Sequence, residues 1–453
     1  MTPTKPMSQT PEVRTSTARG SQPLRPMRSS DVHVVFTPSW YPDRNRPHNG
    51  SFFRDQARML QRSGMRVGVI ALEPVSFWQA RRELTVDVEE GIVVVRGTVP
   101  TIPKGVLPGD RMVARAVAAR AVRLYEETIR SLPESSSSGG GESVPDVVHA
   151  HSVFTGIHVG RYAAERWGAA LAITEHRPSS TDRSVHGWRY RALRRDLRRA
   201  PGRAVVSTPF AEVLRDYWRL GEWRSIALPV NDEVFDVPRP ANQDRHGDNA
   251  RALTVCHVSH LGRNKRPEET IRAVARLARA DVAAGREPTR LLLVGGEAHE
   301  IEPLRELARA EGIEQTSTFT GRVPHDEVSG LMASSDVFVL ASEVEAGGTV
   351  LAEAQALGLA CVATPTWAGR FMVEPETGVV LPTAAQRDDD ALVASLTEAL
   401  AQVTDSIRAG GYLPEAIRAR ARQRFGEATF VTACRELYEQ ACNAITGSAE
   451  STQ

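Results

Sequence analysis

The sequence predicts an α/β protein with two doubly wound, Rossmann-like domains in tandem. Short apolar runs typical of buried strands alternate with amphipathic helical segments along most of the 453 residues, which indicates parallel sheets with helices on both faces. One polar, proline-punctuated stretch interrupts this series, and the chain is long enough for about two domains. Because ligands of such folds bind at the carboxyl ends of the strands, we expect a cleft between the two sheets.

The pattern divides the chain into five parts. Residues 1–30 are rich in Pro, Ser, Thr and Arg and contain no apolar run, which indicates a disordered tail and not a secretory signal. Residues 31–235 and 251–426 are expected to form the two domains, with 236–250 as the linker. Residues 427–445 form the last predicted helix. The strands are expected near 32–37, 67–72, 91–96, 146–150, 170–174, 204–207 and 226–228, and near 253–259, 290–294, 316–320, 336–341, 360–363 and 378–381.

The composition argues against several classes of protein. The formal net charge is +1, so no overall charge points to nucleic acid as a partner. No apolar run approaches the roughly 20 residues that a membrane-spanning helix needs. The four cysteines have neither metal-ligand nor redox spacing, and we expect them to be reduced in a cytoplasmic protein.

Residues 334–369 form the most informative segment, SSDVFVLASEVEAGGTVLAEAQALGLACVATPTWAG. An apolar strand leads into a loop with Glu345 and the pair Gly347-Gly348. A helix then begins near Thr349 and carries Glu353. Glycines let a ligand approach the backbone, and the N–H groups of a helix N-terminus suit a phosphate. Because carboxylates bind the hydroxyl groups of a sugar or ribose, the segment predicts a nucleotide-sugar site.

A simpler explanation of this segment also exists. Two glutamates eight positions apart arise by chance in a chain in which 25% of the residues are charged, and Glu353 alone is compatible with a solvated helix position. The ordered succession of strand, glutamate, glycine pair, helix start and second glutamate favours ligand binding.

Lysine is rare in this chain. It occurs only as Lys5, Lys104 and Lys265, whereas every other basic side chain apart from histidine is arginine. Lys265 follows the first predicted strand of the second domain, where a compact ammonium group can neutralise a leaving diphosphate. Arg263 and Arg266 are candidates to share this role. A solvated loop lysine is the alternative.

Histidines follow two successive predicted strands of the first domain. His149 and His151 end one strand, and Glu175 and His176 end the next. The carboxyl ends of parallel strands meet at one edge of the sheet, where histidine can donate a hydrogen bond to a sugar or move a proton. A structural role is the alternative for each. No third ligand with suitable spacing supports a metal site.

The acidic triplet Asp388-Asp389-Asp390 resembles a metal-binding motif of some sugar transferases. Because it directly precedes a predicted helix, we interpret it as an N-terminal cap that complements the helix dipole. No metal or other cofactor is expected.

Residues 187–203, GWRYRALRRDLRRAPGR, form a basic amphipathic segment. Tyr190, Leu193 and Leu197 share one predicted face, and arginines fill much of the rest. A solvated basic helix explains this pattern. Contact with anionic lipid at the inner face of the membrane, or with a phosphorylated acceptor, is the alternative.

Several segments together resemble the family 4 retaining glycosyltransferases, which have the GT-B fold. EAGGTVLAEA at 345–354 is similar to the glutamate-x7-glutamate motif of that family, and VSHLGRNKRPEETIRAV at 258–274 is similar to its phosphate-binding segment. VVHAHSVFTG and ITEHRPSS resemble the strand ends that line its sugar site. The glycine loop that begins PSWYPD, with Gly50, and the last helix also match, so the resemblance implies a C-terminal helix that crosses back to the first domain.

The resemblance also implies a role for each matched residue. Glu345 would contact the transferred sugar, and Glu353 would hold the ribose hydroxyls. The backbone N–H groups of Gly348 and Thr349 would cradle the diphosphate, and His151 would contact the donor sugar from the first domain.

Further positions extend the implied site. Arg322 and Val323 would meet the base of the nucleotide, and His176 and Glu175 would line the sugar or acceptor site. Two positions depart from the family pattern. His260 stands where the family usually has arginine, and Gly347 stands where it usually has phenylalanine.

The sequence therefore predicts a metal-independent, retaining hexosyltransferase with a nucleoside diphosphate sugar as donor, UDP being favoured over GDP. The acceptor is a hydroxyl-bearing small molecule, a saccharide or a lipid-linked sugar. A nucleotide-sugar-binding protein without catalysis is the alternative outside enzymes, and an epimerase with the same fold is the alternative among enzymes. The sequence does not indicate an oligomeric state.

Overall fold

A computed structural model describes residues 32–47, 49–101, 109–132, 144–182, 187–240 and 251–450. The predicted tail, the loop with Lys104 and most of the predicted linker lie outside the described residues. In the described part of the chain, no helix combines the length and the apolar character needed to span a bilayer.

The first domain contains an eight-stranded sheet in the order β3-β4-β2-β1-β5-β6-β7-β8. Its strands are β1 His33–Pro38, β2 Arg66–Ser76, β3 Thr85–Glu89, β4 Ile92–Thr101, β5 Val147–His151, β6 Ala170–Glu175, β7 Gly202–Val205 and β8 Arg224–Ser225. Its helices are α1 Ser51–Arg62, α2 Asp110–Ser131, α3 Gly156–Trp167, α4 Gly187–Leu197, α5 Thr208–Trp218 and the short α6 Asp232–Phe235. All neighbouring strands are parallel except β3 and β4.

The antiparallel strand β3 was not predicted from the sequence. It pairs with β4 through a tight turn in which Glu90 and Gly91 both have positive φ, as two-residue hairpin turns require. Its five residues are exposed or only partly buried, so no apolar run marks it. Strand β8, at Arg224–Ser225 beside β7, directly precedes residues 226–228, which were expected to end the first domain.

The second domain contains a six-stranded parallel sheet in the order β11-β10-β9-β12-β13-β14. Its strands are β9 Thr254–Val258, β10 Arg290–Val294, β11 Ser317–Phe319, β12 Val337–Leu340, β13 Ala360–Ala363 and β14 Gly378–Val380. The remaining helices are α7 Pro267–Ala283, α8 Ala298–Ala310, α9 His325–Ala333, α10 Thr349–Ala356, α11 Trp367–Met372, α12 Asp389–Arg408, α13 Pro414–Phe425 and α14 Glu427–Glu450.

Helices cover both faces of the first sheet. Adjacent residues of β5 point to opposite sides, so that Val147 joins the core under α1 and α14 while Val148 joins the core under α2 to α5. Helix α14 thus crosses back to the first domain, as predicted. It approaches the sheet so closely that a Cβ atom at Gly202 would lie 2.9 Å from the carbonyl oxygen of Leu437.

The carboxyl edges of the two sheets face each other on the side of β7 and β8. Ala346, which follows β12, belongs to the hydrophobic core of the first domain. Phe210 at the start of α5 stacks on Trp367 at the start of α11, with ring centroids 4.4 Å apart and an interplanar angle of 11°. These contacts hold the two edges together and leave the strand ends of β1, β5, β9 and β12 as the place for a ligand.

Candidate functional site

The switch point of the second sheet brings the predicted lysine and glutamate into contact. Strands β9 and β12 are neighbours, and the loops that follow them carry Lys265 and Glu345. Nζ of Lys265 donates to Oε2 of Glu345 over 2.6 Å, and the two side chains are 18% and 22% exposed. The N–H of Glu343 also donates to the carbonyl of Asn264 over 2.9 Å, which ties the two loops together.

The start of α10 lies beside this ion pair. Gly348 precedes Thr349, the first residue of the helix, and adopts a left-handed conformation with φ of 61°. A Cβ atom at Gly348 would lie 2.8 Å from Cβ of Ala368, so this close approach also requires glycine. The N–H of Ala368 donates to the carbonyl of Glu345 over 3.0 Å. The loop between Glu345 and Thr349 is therefore held on both sides, with the helix N-terminus turned to the loop.

Gly347 is buried against the first domain. A Cβ atom there would lie 2.5 Å from Cδ1 of Leu228 and 3.3 Å from Cγ2 of Val206. The departure from the family's phenylalanine thus has a steric reason, because the loop packs directly on the strand ends of the first domain.

Glu353 and the predicted base-binding turn are at least partly accessible. Glu353 is half-buried on α10. Arg322 is 68% exposed and forms a 2.9 Å ion pair with Glu297, whereas Val323 is half-buried. The roles of these residues towards ribose and base remain predictions.

The basic residues before α7 differ in how firmly they are held. His260 is exposed, and its Nδ1 accepts the N–H of Gly262 over 3.0 Å. Arg266 donates to Asp389 over 2.5 Å and to Glu269 over 3.1 Å. The side chain of Arg263 is 81% exposed, with Asp389 4.0 Å away. Of the two arginines predicted to support the diphosphate, Arg263 has more freedom to turn towards a ligand.

The acidic triplet serves the helix that follows it. Oδ1 of Asp388 accepts the N–H of Ala391 over 2.7 Å and caps α12, which confirms the predicted cap. Asp389 pairs with Arg266. Within the described ranges, no group of three or more potential metal ligands was found.

Gly50 is required by the loop between β1 and α1. It has φ of 79° and precedes α1, and a Cβ atom there would lie 2.7 Å from the ring of Trp40. The same ring carries the guanidinium of Arg177, 4.3 Å from its centroid. Gly50 thus lets this loop pack beside the residues that follow β6.

His151 and His176 lie together at the ends of β5 and β6. Nδ1 of His151 and Nε2 of His176 share a hydrogen bond of 3.1 Å. His151 is only 1% exposed and packs on Phe36 and Phe53. Within the described part of the chain, Nε2 of His151 and Nδ1 of His176 are buried without a hydrogen-bond partner. Both nitrogens thus lack the hydrogen-bond partner that buried polar atoms usually have.

His149 connects this pair to the last helix. Its Nδ1 lies 2.9 Å from the hydroxyl of Tyr438 on α14, and its Nε2 lies 2.8 Å from Oγ1 of Thr174. Its ring lies 4.1 Å from that of His151, at an interplanar angle of 34°. The crossing helix therefore fixes the ring against which His151 packs.

Glu175, which was expected to line the sugar or acceptor site, is buried. Its side chain is fully buried, and its carboxylate accepts the N–H groups of Val153, His176 and Arg177 over 2.6, 2.7 and 2.7 Å. Burial raises the pKa of Glu175 to about 7, although these N–H groups act in the opposite direction. The geometry therefore corrects the expected sugar contact: Glu175 positions the loop that carries His176.

The sequence interpretation missed a glycine pair beside the site. Gly295 and Gly296 follow β10 with φ of 109° and 80°, and a Cβ atom at Gly295 would lie 1.9 Å from the carbonyl oxygen of Ser259. This loop therefore packs against the start of the loop that leads to Lys265. The pair directly follows the apolar strand LLLV, and this signal could have found it.

Two parallel-sheet domains with facing carboxyl edges, and a last helix that returns to the first domain, define the GT-B class of proteins. The comparisons with known proteins agree. Residues 50–233 match the family model of Glycosyltransferase Family 4, and residues 238–422 match that of Glycosyl transferases group 1. The chain belongs to the glycosyltransferase family that these two models describe. The family expected from the sequence is thus confirmed.

Individual relatives support this assignment. The chain is 27% identical over 292 residues to a D-inositol 3-phosphate glycosyltransferase from Acidothermus cellulolyticus, over 60% of each chain. It is 28% identical over 315 residues to a glycogen synthase from Mycobacterium tuberculosis, over 65% of this chain and 68% of the relative. The matches thus span only part of these relatives, 60% and 68% of their length.

A solved structure shares the fold. Anabaena HepE in complex with UDP and glucose superposes with a TM-score of 0.59 at 17% identity, over 89% of this chain and 98% of HepE.

Proposed function

We propose that the chain transfers a sugar from a nucleoside diphosphate donor to a hydroxyl-bearing acceptor, with retention of the anomeric configuration and without a metal ion. The second domain would bind the donor and the first domain the acceptor, with UDP favoured over GDP. The ion pair between Lys265 and Glu345 beside the start of α10 carries this proposal, because it combines a cation, a carboxylate and a helix N-terminus at one switch point.

The charges of this site suit a leaving diphosphate. The bond between the sugar and the diphosphate breaks while the acceptor oxygen forms its bond to the sugar on the same face, and the acceptor proton passes to the leaving group. The ammonium group of Lys265 would stabilise the growing negative charge, together with the N–H groups at the start of α10. The ion pair holds Lys265 in place before the donor arrives, so little reorganisation is needed.

When the donor binds, Glu345 would give up part of its ion pair with Lys265 and contact the sugar. Its Oε2 accepts from Lys265, and its backbone carbonyl is held by Ala368. The carboxylate is thus fixed near the place where a sugar attached to the diphosphate would lie. From the other domain, the unpartnered Nε2 of His151 would donate to a hydroxyl of the same sugar.

Replacement of Lys265 tests the mechanism. We expect Lys265→Ala to lower the turnover number by about 10²–10³, the usual effect of removing a preorganised donor from such a site. The measurement is the steady-state rate of release of nucleoside diphosphate from a set of UDP- and GDP-sugars. The matched control is Arg276→Ala, an exposed residue of α7 that should keep the normal rate. Near-normal turnover of purified Lys265→Ala would remove the lysine from the mechanism.

Glu353 tests the assignment of the nucleotide site. If its carboxylate binds ribose hydroxyls, Glu353→Ala should weaken UDP binding by about tenfold, in line with the loss of a charge-assisted hydrogen bond of about 1.5 kcal/mol. Calorimetric titration with UDP and with GDP gives both the effect and the base preference. Unchanged affinities for both nucleotides would contradict the ribose role.

Two further results would redirect the proposal. Loss of transfer on addition of EDTA would show that a metal ion takes part. Tight binding of a UDP- or GDP-sugar without transfer, hydrolysis or epimerisation would favour the alternative of a binding protein without catalysis.

A further inference from the structure

A basic groove lies on the first domain, apart from the donor site. Its lining comes from α2, α3, α4 and α5 and from residues that directly follow α4 and α5, and includes no residue of the second domain. It consists of two adjoining cavities of about 920 Å³ and about 450 Å³, and Arg195 and Arg198 line both. A cavity of this size can hold a molecule as large as an oligosaccharide. We call these cavities together the arginine groove.

The arginines of the groove lie on the exposed side of α4 and in the turn that follows it. Arg191 and Arg195 are one turn apart on α4, and Arg198 and Arg199 come directly after its last residue, Leu197. All four side chains are exposed. In the described ranges, no hydrogen bond or ion pair of these four side chains was found. The structure thus gathers guanidinium groups without a partner around the groove.

The acidic groups that line the groove do not neutralise these arginines. Asp196 is fully buried and bonds to Arg111 and His158 over 2.9 and 2.7 Å. Glu165 pairs with Arg115 and Arg161, and Asp216 pairs with Arg215. Each carboxylate is therefore bound to a cation other than the four arginines.

The charge of the groove has no evident role in folding. Helix α4 is anchored from its other side, where Leu193 and Leu197 are buried and the ring of Tyr190 stacks on Trp218 at 5.0 Å. Arg194 also donates to the carbonyls of Trp218 and Arg219. Like charges one turn apart on a helix repel each other, and the chain as a whole has a net charge of only +1. Binding of an anionic ligand would offset the repulsion between these arginines and explains why they lie so close together.

We propose that the arginine groove binds a soluble molecule that carries several phosphate groups. Guanidinium groups bind phosphate oxygens through paired N–H donors. Several arginines around one groove suit phosphates that follow one another along a chain or around a ring. The half-buried rings of Tyr190 and Tyr217 add an aromatic wall for the rest of the molecule.

The structure favours a soluble ligand over a lipid surface. The leucines of α4, Leu193 and Leu197, are buried in the core, so they are not free to enter a bilayer. Of the large hydrophobic side chains exposed in the described residues, Met112 lies on α2, and none lies on α4 or α5.

A charge reversal at Arg195 tests this proposal. The probe is inorganic tripolyphosphate, titrated into the full chain by calorimetry at low and at physiological salt. We expect binding that weakens as salt is added, and we expect Arg195→Glu to lower the affinity by about tenfold or more. The matched control is Arg276→Glu, which reverses an exposed helix arginine of the second domain. This control should bind like the unchanged protein.

Three comparisons make the outcome decisive. Lys265→Ala should keep the binding that Arg195→Glu loses, because the donor site is separate. Thermal unfolding of Arg195→Glu should show no loss of stability, which distinguishes a lost ligand from a lost fold. Equal tripolyphosphate affinity of Arg195→Glu and Arg276→Glu would overturn the proposal. So would Arg195-dependent binding to vesicles of phosphatidylglycerol and phosphatidylcholine without binding of tripolyphosphate.

Discussion

Burial keeps several imidazole rings of this protein neutral. The pKa values of His149 and His257 fall to about 3, and that of His151 falls well below its ordinary value, because a buried imidazolium loses its hydration. Neighbouring histidines and, for His257, the ammonium of Lys265 act in the same direction. A neutral His151 can both donate and accept a hydrogen bond, which suits contact with a sugar hydroxyl.

These shifts predict how stability depends on pH. The histidines have lower pKa values in the folded chain than in the unfolded chain. Below about pH 6.5 the unfolded chain therefore binds more protons than the folded chain, and the folded state loses stability as the pH falls. Glu175 acts in the opposite sense between about pH 7 and 4.5, but it is a single group. We therefore expect the midpoint temperature of thermal unfolding to decrease when the pH is lowered from 7.5 to 5. A rise in the midpoint over this range would contradict the neutral, buried state of the histidines.

The contact between Lys265 and Glu345 was only partly predictable at this scale. The sequence placed each residue after an apolar strand, and the rarity of lysine drew attention to Lys265. Their direct bond depends on the pairing of β9 with β12, and 80 residues separate the two side chains in the chain. The burial of Glu175 was missed for a related reason, because N–H groups from two loops surround its carboxylate.

At the scale of elements, the loop before α10 depends on a glycine, because there is no room for a side chain at this position. Gly347 lies where the family usually has phenylalanine, and the methyl groups of Leu228 and Val206 occupy the space beside it. The sequence alone gave no reason for this glycine, since Leu228 and Val206 belong to the other domain.

We expect Gly347→Phe to destabilise the protein by about 1–3 kcal/mol, the usual effect of overpacking, and to weaken donor binding because the loop must move. Urea unfolding and calorimetry with UDP measure the two effects. The control is Gly330→Ala on α9, where no atom lies within 4 Å of the new Cβ; it should be neutral or slightly stabilising. An equally stable Gly347→Phe variant with normal UDP affinity would mean that the loop does not depend on this contact.

Most elements were predictable because each strand of a parallel sheet is a short apolar run and each long helix has an apolar face. The last helix was predicted for residues 427–445 and is observed as α14 at Glu427–Glu450. Strand β3 and helix α11 were missed. The first is exposed at an edge, and the second has only six residues.

At the scale of the whole molecule, one helix and one aromatic pair join the domains. Helix α13 of the second domain continues into α14, which packs on the first sheet and bonds to His149 through Tyr438. On the other side, Phe210 and Trp367 stack face to face beside Ala346. The two domains are thus linked both behind the first sheet and beside the loop between β12 and α10, which carries Glu345.

The stacked pair of Phe210 and Trp367 also links the contact between the domains to the loop that carries Glu345. Trp367 precedes Ala368, whose N–H holds the carbonyl of Glu345. A shift of Trp367 away from Phe210 would therefore release the loop that carries Glu345 and Gly347. We infer that the stack keeps the donor loop in its binding position.

A double-mutant cycle tests this inference. Phe210→Ala and Trp367→Ala should each weaken UDP binding, and the double variant should lose less than the sum of the two, with a coupling energy of about 0.5–1.5 kcal/mol. Trp367→Phe keeps a stacking partner and should retain most of the affinity. Because the stack acts on the loop and not on the reacting atoms, the Michaelis constant for the donor should rise more than the turnover number falls. Strictly additive losses of UDP affinity would mean that the two rings act independently, and the arrangement of the domains would then have to rest on α14 and the packing of Gly347 alone.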